Sequence, residues 1–546
     1  MKRNFSVLFF VFFSLSLFAQ NNEVKNVILM IPDGTSSSVL SLSRWYKGYL
    51  AGDYSVGLAV DPYLCGYVRT FSSNDPIGDS APTTSCYMTG QPSKAGFVAT
   101  YPPKTDSDLF PVDATRTYQP LITAFEAARI LKNKAIGLVA TTYLEDATPA
   151  DCMSHCYSRK KNYQLAKQMV YNGVDVAISG GAREVRPLEN ELKEHGVNII
   201  FDDIDGFRSN ESDKLWAFFA EKDMPYHIDS DTDNIPSLAE MTEIALKCLA
   251  GKPDGFALMV EGSKVDWAAH NNDAKTIIDE YLEFDKAVKV AIDFAKKDGN
   301  TVVVILPDHG NSGLSIGSRK TNKSYNDMTI DELMKPLMDY TVSAEKLGDL
   351  LASSDNAEIK PLFKKLCNFD ISDEDIKTIV DMKAKSSAND HSKVAYSLSK
   401  VVSTILYKNT CIGFTTYGHT GEDVFLAVYS PTGNAPTGWM TNVDINNYLC
   451  SLLGVENQLP KLTDELFAKH QEVFQGYETK IEKVSKDEKD DNYKLIVKNK
   501  KQKLEIESFT NYIILDGKKI DLESVIIYVD KNNTFYLPKK IREYLQ

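Results

Sequence analysis

A three-layer α/β/α sandwich with a mostly parallel central sheet, a helical insertion and a small β-rich C-terminal module is the fold this 546-residue sequence predicts. Three observations lead there. Six short runs rich in β-branched residues are apolar almost throughout, and long helical patterns separate them. The composition is globular, with 43% hydrophobic and 25% charged residues. Strands apolar on both faces belong in a sheet covered on both sides, and such sheets are mostly parallel because helices form the crossovers.

In chain order, the first element precedes the fold. "MKRNFSVLFFVFFSLSLFAQNN" sets Lys2 and Arg3 ahead of an apolar run at 5–18, with Ala19 as a cleavage point. This predicts a signal peptide over 1–19 and a mature protein that starts near Gln20 and works in the periplasm or outside the cell. The run is short for a membrane span, so none is expected in the mature protein. No cysteine follows it, so no lipid anchor is expected there. The predicted strands are "NVILMIP" (26–32), "AIGLVATT" (135–142), "VDVAIS" (174–179), "FALMVEG" (256–262), "TVVVILPDHG" (301–310) and "VFLAVYS" (424–430). Crossovers such as "YLEFDKAVKVAIDFAKK" (281–297) read as helices. Residues 311–418 interrupt the pattern with a polar, helical insertion inside a catalytic domain spanning 20–474. From 475 to 546 a mixed-charge run gives way to alternating residues with turn signals at Asp516-Gly517 and Asn532-Asn533. That reads as an appended β-rich module, expected to fold independently.

Lys and Arg number 61 against 75 Asp and Glu, a net charge of −14. Such a chain has no electrostatic footprint for nucleic acid. The eight cysteines are scattered; Cys152 and Cys156 lie four apart, a poor disulfide geometry if both are on one helix. No pairing is assigned.

Ligands in open α/β sheets bind beyond the carboxyl ends of the strands. After the first strand comes Asp33; after "GLVATTYLE" come Asp146 and Thr148. Glu261 ends "ALMVE", with Asp266 and His270 soon after, and Asp308-His309 follow "VVVILP". His419 stands just before the last strand. A single aspartate after a strand usually caps a turn or a helix, but the joint pattern points elsewhere. Asp266 and His270 share a helix face, as metal ligands require. Mixed Asp/His ligation suits zinc, and the oxygen set Asp33, Thr148 and Glu261 suits magnesium. In "NDPIGDSAPTTSCYMTG" (74–90), Pro82 marks a helix start and puts Ser80 at its N-terminal mouth. There Ser80 is either a helix cap or, beside cations that lower its pKa, a nucleophile.

At these positions the sequence resembles the alkaline phosphatases over about residues 25–450. "DSAPTTSCYMTG" is similar to the family's nucleophile segment, which implies that Ser80 is phosphorylated. "DATPADCMSHCYSRK" resembles the segment with a magnesium-site threonine, here Thr148, and a phosphate-binding arginine, here Arg159; Asp146 falls behind the magnesium ligands. "VEGSKVDWAAH" implies Glu261 for magnesium and Asp266 and His270 for the first zinc, which His419 of "GHTGE" completes. "PDHG" implies Asp308 and His309 for the second zinc, with Asp33 of "IPDG" bridging that zinc and magnesium. The resemblance thus implies two Zn2+, one Mg2+, a phosphomonoester substrate and a homodimer. Trp267 stands where well-studied members carry a basic residue, which implies one cation fewer near the phosphate. Pro82 and Thr84 replace small residues after the nucleophile. A phosphodiesterase, a sulfatase or a secreted binding protein on the same scaffold would share parts of this pattern. "SAPTT" lacks the arginine a formylglycine sulfatase needs, and the Thr148, Glu261 and Arg159 set favours a monoester dianion.

Overall fold

The computed structural model describes residues 24–318, 325–385, 391–408, 410–484 and 492–545. The expected signal segment lies outside the described residues. Among these, ten strands form the central sheet, in the order Gly438–Thr441, Leu64–Arg69, Val424–Tyr429, Thr301–Ile305, Asn26–Pro32, Phe256–Gly262, Ala135–Tyr143, Val176–Gly180, Leu215–Phe218 and Asn198–Phe201. Val424–Tyr429 alone of these runs against its neighbours; the other pairings are parallel.

The apolar runs explain the sheet. Along Asn26–Pro32, Val27, Leu29 and Ile31 enter the core on one face, while Ile28 and Met30 enter the core on the other. The neighbouring strands divide in the same way: Ala257 and Met259 on one side, Leu258 and Val260 on the other. Each such side chain contributes roughly 1.5–3 kcal/mol by leaving water. Helices cover both faces, including the long Ala274–Asp298, whose cap Asp273 accepts from Thr276 N.

Four adjacent strands, Thr301–Ile305, Asn26–Pro32, Phe256–Gly262 and Ala135–Tyr143, point their carboxyl ends to one edge. The antiparallel Val424–Tyr429 starts at that same edge, which is how a residue upstream of it arrives there. The insertion is helical in its described part, with Ile330–Met338, Ala344–Ser353, Ile359–Cys367, Asp373–Lys385 and His391–Tyr407. Its Leu347, Leu351, Leu398 and Val402 join the core on one face of the main sheet.

The C-terminal residues are β-rich, with an antiparallel sheet of Glu478–Lys483, Tyr493–Lys498, Lys503–Glu507, Tyr512–Leu515 and Lys518–Asp521. They do not stand apart. In a second small sheet, Thr534–Leu537 pairs with Ala468–Lys469, and Phe535 N donates to His470 Nδ1 at 3.1 Å. Phe535, Leu537, Leu495 and Val497 share one core with Leu165 and Met169 of the sandwich. The independence expected of this module is therefore not what its packing shows. Cys152 is in the helix Ala147–Met153, while Cys156 lies beyond it with its backbone hydrogen-bonded to that of Val98. All eight cysteines are free thiols.

Candidate active site

The sheet edge assembles the carboxylates. Asp33 follows its strand directly, and the tight turn after it needs Gly34, at φ +59°; a Cβ there would lie 2.2 Å from Asp266 Oδ1. Gly34 N donates to Asp308 Oδ1 at 3.1 Å. Glu261 lies opposite Ile31 in the parallel register. Asp33, Glu261 and Asp308 are buried together. Burial, then the charges of Asp308, Asp266 and Glu261, push the Asp33 carboxyl well above the usual range. Burial, then Asp146 and Asp308, do the same to Glu261.

The expected metal ligands converge in two overlapping groups. Asp266, His309 and His419 bring ligand atoms within 4.8 Å of one another, as do Asp33, Asp308 and His309. His270 joins the first group: its Nε2 lies 3.1 Å from His419 Nε2 and 3.4 Å from Asp266 Oδ2. The helix Lys264–His270 makes this meeting, because positions four apart share a face.

Proton bookkeeping shows what the groups want. His270 Nδ1 faces the Tyr417 carbonyl at 2.7 Å, His419 Nδ1 that of Gly78 at 2.8 Å, and His309 Nδ1 that of Gly310 at 3.1 Å. A carbonyl only accepts, so each neutral ring carries its proton on Nδ1 and turns the Nε2 lone pair toward the carboxylates. Lone pairs converging on carboxylates are a cation site. A third set supports this independently: Asp33 Oδ1, Thr148 Oγ1, Glu261 Oε2 and Asp308 Oδ2 are all buried without a hydrogen-bond partner, a cost of about 1–3 kcal/mol each. The residues present therefore fit bound metal ions. Asp146 stands behind them; its Oδ1 accepts from Ala147 N at 2.9 Å and pairs with Arg159.

Ser80 is the first residue of the helix Ser80–Thr89, and Asp79 holds the cap position. The capping alternative for Ser80 thus fails, and no side chain caps this helix. Asp79 turns its carboxylate away, with Oδ2 accepting from Gly96 N at 3.0 Å and Oδ1 from Arg159 Nη1 at 2.8 Å. An uncapped helix start offers N–H groups and a positive dipole end to an anion. Ser80 Oγ lies 3.2 Å from Nε2 of His309, the residue shared by both ligand groups. Arg159 Nη2 reaches Asp146 Oδ1 at 2.6 Å, so the two acids hold its guanidinium in one orientation.

Ser80, Arg159, Asp33, Asp266, His270 and His419 line one cavity of about 890 Å3. Sequence reading did not find the rest of its wall. Glu345, Asp349, His391 and Tyr396 come from the insertion, and no local pattern marked them. Asn311, which donates to Asp266 Oδ1 at 2.7 Å, was also missed. Asp79 was findable, as an acid directly before a helix start. Trp267 does not leave its helix without a cation near the site: Lys264 Nζ sits 4.1 Å from its ring centroid, 4.4 Å from that of Tyr226 and 2.6 Å from Asp223 Oδ2.

Comparisons with known proteins point to one family. The family model described as alkaline phosphatase matches residues 24–455. Alkaline phosphatase 3 of Bacillus subtilis is 34% identical over 442 residues, covering 78% of this chain and 88% of that protein. Among solved structures, the cold-active alkaline phosphatase of Shewanella sp. superposes with a TM-score of 0.67 at 25% identity, covering 78% of this chain and 99% of its own. The Thermus thermophilus alkaline phosphatase gives 0.69 at 22% identity, with 80% and 92% covered.

Proposed function

The chain belongs to the alkaline phosphatase family and is a phosphatase, and on that premise we propose that it hydrolyses phosphate monoesters through a phosphoserine on Ser80. Asp266, His270 and His419 would hold one zinc ion and Asp308 and His309 a second, with Asp33 between the second zinc and a magnesium held by Thr148 and Glu261. When bound, these cations would lower the pKa of the serine hydroxyl and of water and offset the phosphate charge. The observation that carries the reading is the position of Ser80 Oγ, at the uncapped start of a ten-residue helix and 3.2 Å from His309 Nε2.

Ser80 gives up its proton to solvent and its oxygen attacks phosphorus in line, while the bond from phosphorus to the ester oxygen breaks and the departing alkoxide takes a proton from solvent. Arg159 pairs with two phosphate oxygens, its fork held ready by Asp79 and Asp146. The helix N–H groups stabilise the charge on the transferring group. Water then attacks the phosphoserine, the phosphorus–Oγ bond breaks, Ser80 regains a proton and inorganic phosphate leaves.

The leading sequence at 1–19 supports export to the periplasm or the exterior. Among the described residues no helix is long and apolar enough to cross a membrane. Homodimer formation is supported by the sheet edge at Gly438–Thr441, where Trp439, Tyr67 and Leu64 are exposed together. Metal content measured on the purified protein, with phosphate release from a chromogenic monoester against the matching diester, tests the reading. A metal-free protein with full activity, or faster diester cleavage, would sink it.

A further inference from the structure

The matched family region ends at residue 455, so nothing yet assigns a role to the C-terminal module. Its turn Asp530–Asn532 reaches the segment that carries Arg159. Asp530 Oδ2 accepts a hydrogen bond from Lys161 Nζ at 3.3 Å. Lys161 Nζ lies 5.0 Å from the Tyr157 ring centroid and Lys531 Nζ 5.7 Å from it. Tyr157 packs edge-on against Phe97 and Tyr118, with centroids 6.4 and 5.8 Å away.

Phe97 of this aromatic group directly follows Gly96, whose carbonyl accepts from Arg159 N at 2.7 Å and whose N–H donates to Asp79. The Arg159 segment is therefore held by the Gly96–Val98 strip on one side and by the C-terminal turn on the other. A second tie lies further along the following helix, where the nearly buried Lys167 Nζ meets Asn492 Oδ1 at 3.0 Å and Glu507 Oε1 at 3.3 Å. Burial pushes the Asp530 carboxyl up, but the Tyr157 hydroxyl and Lys161 outweigh it and hold the group below its ordinary value. It is an anion at neutral pH.

We propose that the C-terminal module positions the phosphate-binding arginine: Asp530, through Tyr157 and Lys161, fixes the 156–161 segment and with it the guanidinium of Arg159. This rests on Arg159 gripping the phosphate. Asp530 touches no reacting atom, so it is a positioning residue, and its loss should show in substrate affinity more than in turnover.

The test is a double-mutant cycle of Asp530→Ala and Arg159→Ala in the full-length, metal-loaded enzyme, reading inhibition by inorganic phosphate and the KM and kcat for a chromogenic monoester. Asp530→Ala should weaken phosphate inhibition and raise KM by roughly three- to ten-fold, in line with a small displacement of a positioned group. It should lower kcat less than it raises KM, and Asp530→Glu should restore most of the affinity. In the Arg159→Ala background, Asp530→Ala should have no further effect on phosphate. Additive effects, or a fall in kcat and metal content with KM unmoved, would overturn the proposal and leave the module a structural brace. An Arg159→Ala enzyme with normal phosphate affinity would instead remove the reading of Arg159 beneath it.

Discussion

Replacing Ser80 by alanine separates a nucleophile from a buried polar residue, because the structure gives different magnitudes for each role. Ser80 is not the helix cap, so the capping loss does not apply. What alanine removes is one buried hydrogen bond of 3.2 Å to His309, about 1 kcal/mol net. In a chain this long that shifts Tm by no more than about 2 °C. His309 keeps its Nε2 lone pair, so the metal content should be unchanged. If Ser80 makes the covalent intermediate, kcat should fall on the order of 10^3-fold or more, with a residue of activity from the groups that still position phosphate and water. The assay is an acid quench of the wild type during turnover, followed by peptide mass analysis. One phosphoryl group should appear on the peptide containing Ser80, and fragmentation should place it there rather than on Thr83, Thr84 or Ser85. Phosphate on a neighbouring hydroxyl, or near-normal kcat in Ser80→Ala with no phosphopeptide, would refute the reasoning.

Arg159→Ala should keep its metals and lose phosphate inhibition by roughly ten- to a hundred-fold, the worth of one or two charge-assisted hydrogen bonds; equal losses on monoester and diester would contradict that role. Thr148→Val deletes a buried hydroxyl that has no hydrogen-bond partner. It should leave the metal-free protein as stable or about 1 kcal/mol more stable, while magnesium affinity falls and zinc content holds; a loss of zinc would argue against the assigned set. Chelation should lower Tm and abolish phosphate binding measured by calorimetry, and unchanged binding would exclude cations from the phosphate site. Burial pushes the Glu280 carboxyl up to about 8. A carboxyl raised in the fold holds its proton more tightly there than in the unfolded chain, so it withdraws stability as pH climbs from the ordinary glutamate value of about 4.3 toward that raised value. Glu280→Gln should flatten this decline in Tm, and parallel curves for mutant and wild type would show that Glu280 does not titrate there.

The central sheet was legible because its strands are buried on both faces and so carry continuous apolar runs. Four were not: Leu64–Arg69 and the edge strand Gly438–Thr441 are partly exposed and mix polar with apolar residues, and Leu215–Phe218 and Asn198–Phe201 are runs of only four residues. The reversed direction of Val424–Tyr429 left no local trace either, because orientation depends on the connection rather than on the strand. In the site, the carboxylates that follow strands were readable from position, as Asp33 and Asp308 show. Residues acting from a distance were not: Asn311 and the insertion side chains reach the cavity only through the tertiary fold. The contacts of the C-terminal module with the sandwich were not legible, for a physical reason. Its composition changes near 475, but packing follows apolar surface, and Phe535 and Leu537 bury theirs against the sandwich.

Charge explains why a phosphate site at this edge of the sheet would need cations as well as Arg159. Asp33, Asp79, Asp146, Glu261, Asp266 and Asp308 bring six negative charges to one mouth, while the guanidinium of Arg159 is tied to two of them. Like charges 5 Å apart at an effective dielectric of 20 repel by roughly 3 kcal/mol, so a phosphate dianion could not enter this site against bare carboxylates. Burial first, and then that repulsion, raise the carboxyls of Asp33 and Glu261. Two zinc ions and one magnesium would cancel the six charges, and Arg159 would then tip the mouth to a positive sign. The arginine matters so much because it acts on a balance already brought near zero, where a single well-placed charge decides whether phosphate is held. On this reading, a segment that keeps that charge in place, from either side, would belong to the phosphate site.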